Sequence, residues 1–144
     1  MTDTKQLAAR FIQAFNAHDE KALLALDTPD STLSAPGAPA LRGAQASSGY
    51  ALAWLNAFPD ARLVIRNEII TGDTIVQEFT FEGTHTATLH APSGDLPATN
   101  RRLSGRAAQV LKVRDGLISD TQLYFDQVDV MTQLGLMPAP AAAV

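Results

Sequence analysis

Apolar residues at Leu7, Ala8, Phe11, Ile12 and Phe15 recur at three- and four-residue spacing, which predicts one face of a helix over residues 3–17. Asp3, with Gln6 three residues on, has the form of a capping box at its start. Beyond "NAHD", residues 20–26 predict a second, short helix, stopped by Asp27, Thr28 and Pro29. The stretch "STLSAPGAPALRG" holds Pro36, Gly37 and Pro39 and reads as a connector with one short strand around residues 31–35. Helical spacing returns with Tyr50, Trp54, Leu55 and Phe58, so a third helix is expected over residues 44–58, ending before Pro59.

After Pro59 the period drops to that of strands. In "ARLVIRNEIITGD" Leu63, Ile65 and Ile69 share one face and Arg66 and Glu68 the other, and Gly72-Asp73 supplies a tight turn. "TIVQEFTFEGTHTATL" continues as one long strand from Thr74 to about Leu89, followed by a loop with Pro92, Gly94 and Pro97. "RAAQVLKV" and "LISDTQLYF" flank the hairpin signal Arg114-Asp115-Gly116. "VDVMTQLGL" predicts one or two helical turns capped by Gly135, and the proline and alanine tail over residues 138–144 is expected to fray. Residues 1–137 thus read as a single α+β domain. Three helices precede four long strands in consecutive hairpins, packing on one face of a curved antiparallel sheet whose open end makes a pocket.

Composition narrows what such a pocket serves. The 144 residues are 46% hydrophobic and 18% charged, enough for one core. A net charge of −4, with no basic run beyond Arg101-Arg102, argues against a nucleic-acid partner. There is no cysteine, and the three histidines, His18, His85 and His90, are scattered, which argues against disulfides, thiolate chemistry and a structural zinc site. The chain opens on polar "MTDTKQ" and holds no apolar run near the roughly 20 residues of a membrane span, so a cytoplasmic protein with no membrane partner is expected. Its alanine-rich composition suggests a bacterial source of high genomic GC content.

The candidate chemistry gathers on the last strand. In "QLYFDQ", Gln122, Tyr124 and Asp126 share one face while Leu123 and Phe125 share the other. If the polar face is concave, Asp126 enters a cavity walled by Phe15, Tyr50 and Trp54, where desolvation raises its pKa and suits it to take a proton from a carbon next to a carbonyl. Tyr124 and Gln122 then orient the substrate or the developing enolate. If that face meets solvent instead, Leu123 and Phe125 belong to the core. Gln109 shares a face with Leu111 and Val113 and is either a buried ligand contact or a rim residue. Glu78 and Thr80, on one face with Glu82, are pocket groups or a solvated edge. His85, in "GTHT", is a candidate ligand contact or a structural hydrogen-bonding group, and His18 beside Asp19 suits a capping role. No Ser-His-Asp order, Walker loop, GxGxxG or His-Glu-x-x-His motif is present, so proton transfer, hydration or hydrolysis without a cofactor is expected.

The stretches "GDTIVQEFTFEGTHTATL", "SGDLPATNRRL", "VRDGLI" and above all "YFDQ" followed by "QLGL" resemble the SnoaL-like polyketide cyclases, also called ester cyclases, of the NTF2-like superfamily; "FIQAFNAHD" and "FPDARLVI" are similar too. The resemblance spans residues 5–136. It implies a cone-shaped α+β barrel that dimerises through its sheet. It further implies cofactor-free acid/base chemistry, an aldol-type cyclisation or isomerisation of an apolar, polyketide-like molecule, with Asp126 as acid/base and polar groups at Tyr124 and Gln109. Tyr124 stands where a histidine is expected of these cyclases, and "GTHTATL" departs from their commoner "GTHTG". A non-catalytic ligand-binding module and an epoxide hydrolase-like enzyme, with Glu78 and Asp126 around one water, are the alternatives.

Overall fold

The computed structural model describes residues 3–138. The expected fraying of the tail therefore concerns residues that, apart from Pro138, lie outside the described ones. Helix α1 spans Thr4–Asn16, with Asp3 as its N-cap accepting a hydrogen bond from the backbone N–H of Lys5. Leu7, Ala8 and Phe15 form its buried stripe, the face that the spacing requires. Helix α2 covers Glu20–Ala25, capped by the Asp19 side chain, and α3 covers Ala44–Ala57. A fourth helix, α4, spans Gln127–Gln133 and ends on Gly135 at φ 73°, where the Leu136 N–H reaches back to the Met131 carbonyl at 2.9 Å.

Eight strands follow in chain order: β1 Asp27–Ser34, β2 Leu41–Arg42, β3 Arg62–Thr71, β4 Thr74–Thr84, β5 Leu89–Ala91, β6 Gly94–Leu96, β7 Arg102–Arg114 and β8 Leu117–Phe125. Six build one curved sheet in the order β2-β1-β8-β7-β4-β3, and β5 and β6 form a separate small hairpin. The sheet does not close into a barrel: β2 and β3 remain its edges. Helices α1, α2 and α3 pack on it around a core that includes Leu7, Phe15, Leu55, Phe58, Ile75 and Leu111. No helix among the described residues is long and apolar enough to cross a membrane.

Three features depart from the strand pattern expected of the sequence. First, β1 runs from Asp27 through Pro29 and pairs in parallel with β8, with a register shift between Asp27 and Thr32 that accommodates the proline. Second, the long strand after Thr74 breaks at Thr84 rather than running to Leu89. Asp60 accepts the Thr84 backbone N–H at 2.7 Å and its hydroxyl at 2.9 Å, ending the ladder. Gly83 is required beside that break, because a Cβ there would meet the Phe58 Cβ at 3.1 Å and the Ala61 Cα at 3.2 Å. Third, bulges between Ile65 and Asn67 on β3 and beside Val113 on the β7–β8 ladder shift the inside–outside alternation by one residue. Ile69, placed by strict alternation with Leu63 and Ile65, is consequently 52% exposed, while Ile70 packs against the core.

Candidate active site

Between α1, α3 and the concave face of the sheet lies a cavity that offers about 110 Å³ to the centre of a water molecule, within an empty volume of about 990 Å³ that includes its open mouth. Its existence follows from the sequence of β7. Along the inward row Leu103, Gly105, Ala107, Gln109, the two middle positions carry almost no side chain, and a Cβ at Gly105 would find only Leu103 within 4 Å, at 3.8 Å. Aromatic residues wall the space so formed. Phe15, Tyr50, Trp54, Phe79, Phe81 and Phe125 all line it, and Trp54 meets Phe81 and Phe125 edge-to-face at centroid distances of 5.6 and 5.8 Å.

Of the three carboxylates that line this cavity, Asp27, Asp126 and Asp129, the first two do so from opposite circumstances. Asp27, the first residue of β1, is half-buried among these apolar walls, and burial pushes its carboxyl up to about 7, with a hydrogen bond from the Ser47 hydroxyl acting in the other direction. Asp126 is exposed at the mouth, where its Oδ1 accepts the Asp129 N–H at 3.0 Å as N-cap of α4. The desolvated setting expected for Asp126 therefore belongs to Asp27. Beside Asp27 in the cavity, Tyr50 is 9% exposed; burial raises its pKa, while a hydrogen bond with Trp54 pulls it down. A phenol hydroxyl has a proton to donate as well as an oxygen to accept. Gln109 is 3% exposed and donates from Nε2 to the Gln77 carbonyl at 2.9 Å. Ser48 and Thr121 complete the polar lining, and Arg106 and Asp129 stand exposed at the rim.

The remaining residues singled out in the sequence lie elsewhere. β8 turns Thr121, Leu123 and Phe125 inward, so Gln122 and Tyr124 face outward, and Tyr124 is 57% exposed. Gln122 donates to Asp120 at 3.1 Å. Asp126 does not share their face because β8 ends at Phe125, and past that point alternation no longer assigns a side. Glu78 also points away from the cavity and accepts from Asn67 at 2.9 Å, so it forms no pair with Asp126 around a water. His85 is fully buried outside the cavity, stacked on Phe58 at 5.0 Å, with Nδ1 accepting the Thr99 N–H at 3.3 Å. Burial lowers its pKa, in part offset by the carbonyls of Leu96 and Ala87. His18, at φ 54°, bonds the Ala61 carbonyl at 2.8 Å, and His90 pairs with Asp95 across the β5–β6 hairpin at 3.0 Å. Among the described residues no group of three His, Asp or Glu side chains is placed to hold a metal ion.

Asp27 was missed because the sequence offers it as a helix stop. Only the extension of β1 back through Pro29, together with its register shift, turns that stop into a strand residue at the cavity.

Similar proteins are consistent with this architecture. A solved structure of a proposed SnoaL-like polyketide cyclase from Jannaschia sp. CCS1 superimposes with a TM-score of 0.81 at 17% identity, covering 94% of this chain and 93% of that one. TsrD from Streptomyces laurentii gives a TM-score of 0.78 at 24% identity over 92% of this chain and 95% of its own. IdmH from Streptomyces antibioticus, a proposed polyketide cyclase, gives 0.75 at 25% identity over 92% and 99%. No curated protein sequence matches significantly. Residues 8–121 match the profile of the SnoaL-like domain. A match over most of its length, on the fold described above, makes this chain a member of the SnoaL-like domain family.

Proposed function

We propose that the protein is a cofactor-free acid/base enzyme acting next to a carbonyl on an apolar, polyketide-like molecule, by aldol-type cyclisation or isomerisation, in a bacterial cytoplasm. The observation that carries this reading is a carboxylate, Asp27, set among aromatic walls in a cavity of the SnoaL-like fold. A carboxyl titrating at about 7 is half ionised near neutrality, and its conjugate acid is strong enough to return the proton. In the proposed step Asp27 removes a proton from the carbon beside the carbonyl, and the electron pair moves to the carbonyl oxygen. Tyr50 donates a hydrogen bond to the resulting enolate. The enolate carbon then attacks a second carbonyl of the same molecule, forming the ring bond and leaving an alkoxide that takes the proton from Asp27; in an isomerisation the proton returns to a different carbon. Asp126, at the mouth, holds α4 in place and presents a second carboxylate to the entering molecule.

The apolar lining equally suits a binding module that holds a small hydrophobic ligand without changing it. The Asp27→Asn variant separates the two. It keeps the shape of the cavity, so ligand affinity stays while turnover of a β-polyketone substrate falls at least about a hundredfold if Asp27 is the base. Unchanged turnover would overturn the assignment. We further propose a homodimer through the outer face of the sheet, where Ile69, Val76 and Val110 lie in register across three strands beside the exposed Tyr124. Sedimentation of a Tyr124→Glu variant as a monomer, against a dimeric parent, is the expected result.

A further inference from the structure

Glu68, Gln77 and Gln109 lie in register on three neighbouring strands, β3, β4 and β7. The bulge between Ile65 and Asn67 brings Glu68 into this row; strict alternation would have put it on the opposite face. Gln77, fully buried, donates from Nε2 to the Glu68 carboxylate at 2.8 Å and lies 3.5 Å from the Ala8 carbonyl. Both of those oxygens can only accept, so the Gln77 amide has one permitted orientation, with its nitrogen toward them. Its carbonyl then faces Gln109 and accepts the Gln109 Nε2 proton at 2.9 Å. The Gln109 carbonyl oxygen has no hydrogen-bond partner among the described residues, and Gln109 lines the cavity. Glu68 itself does not line it.

We infer that Glu68 is a positioning residue: through Gln77 it locks Gln109 with its oxygen as an acceptor toward the cavity, and the cavity therefore selects molecules carrying a hydroxyl donor at that wall. The substrate class becomes a hydroxylated aromatic or enolic polyketone rather than a fully capped one. An amide free to turn would serve donors and acceptors alike; a locked one leaves an unmet polar group whenever the hydroxyl is missing. The selection half rests on the cavity being the site proposed above, whereas the lock itself does not.

Glu68→Lys tests both halves. An ammonium can only donate, so Gln77 must turn its oxygen to it and its nitrogen to Gln109, which then accepts and presents its own N–H groups to the cavity. In wild-type protein the Gln109 side-chain amide resonances are expected at the shifts of a hydrogen-bonded NH2; in Glu68→Lys they move to those of a free one, with Glu68→Gln between. Binding of 2-naphthol and 2-methoxynaphthalene, followed by quenching of Trp54, the sole tryptophan, gives the second readout. Wild type should favour the naphthol by about three- to tenfold, the range of one neutral hydrogen bond, and Glu68→Lys should lose or reverse that preference. Gln109 resonances that do not respond to either substitution overturn the lock. Resonances that move while the binding ratio stays constant overturn the selection. Should neither naphthalene bind the wild type, the cavity reading of the preceding section fails and the resonances alone decide the lock.

Discussion

Asp27 and Asp126 line one cavity, and their surroundings set them apart. Asp27 has a folded-state pKa of about 7 against 3.8 for a free side chain, so the folded protein binds its proton more tightly than the unfolded chain does. The stability this contributes is fully present below 3.8 and is lost as the pH rises through about 7. Asp27→Asn removes that loss. Its melting temperature should therefore gain on that of the parent as the pH is raised from about 4 to about 8, in calorimetric scans at both ends of the range. Asp126 follows a different rule. As the N-cap of α4 it should cost about 1 kcal/mol, a few degrees of melting temperature, when changed to alanine, and much less when changed to asparagine, which also caps. His85 carries the opposite sign from Asp27. Buried with Nδ1 accepting, it is held neutral, so its contribution is present above the ordinary histidine value of 6.5 and is lost as the pH falls through its lower folded value. The imidazole shifts of His85 should stay those of the neutral ring as the pH falls past 6.5 in an NMR titration.

At the scale of elements, the sequence speaks clearly where a period runs uninterrupted and a local residue ends it. α1 and α3 lie within a residue or two of where Phe11, Phe15, Tyr50 and Trp54 place them, and the turns at Gly72-Asp73 and Asp115-Gly116 sit between the strands they announce. The wall positions of Phe15, Tyr50 and Trp54 come with those helices. What alternation could not convey are the residues where it slips. Each bulge inverts every assignment beyond it, which is why Ile69 and Glu68 exchanged the faces expected of them, whereas Asp126, past the end of β8, reaches the cavity although Gln122 and Tyr124 face away from it. The strand expected around residues 31–35 exists as the end of β1, but its extension back to Asp27 and its pairing escaped for another reason: its partner β8 lies far along the chain, and no local pattern encodes a parallel pairing over that distance. The break at Thr84 is written in tertiary contact alone. Gly83→Ala would force its methyl against the Phe58 and Ala61 atoms at 3.1 and 3.2 Å, and a loss of about 1–3 kcal/mol in denaturant unfolding is expected.

For the molecule as a whole, the cavity is a cost accepted in the middle of a core, since Gly105 and Ala107 forgo packing that larger residues would provide. Ala107→Leu should fill part of it. We expect a fold that is at least as stable in thermal melts, together with loss of naphthalene binding by ten-fold or more, whereas retained binding would mean that ligands enter elsewhere. The parallel pairing of the first and last sheet strands has a temporal consequence as well. Leu33 finds Thr121 only after the whole stretch between β1 and β8 has been made, so a growing polypeptide carries Asp27 through that stretch with no cavity around it. The secluded setting of that carboxyl is thereby withheld until the ribosome has delivered β8, and a product truncated before β8, however well its helices form, should lack the cavity.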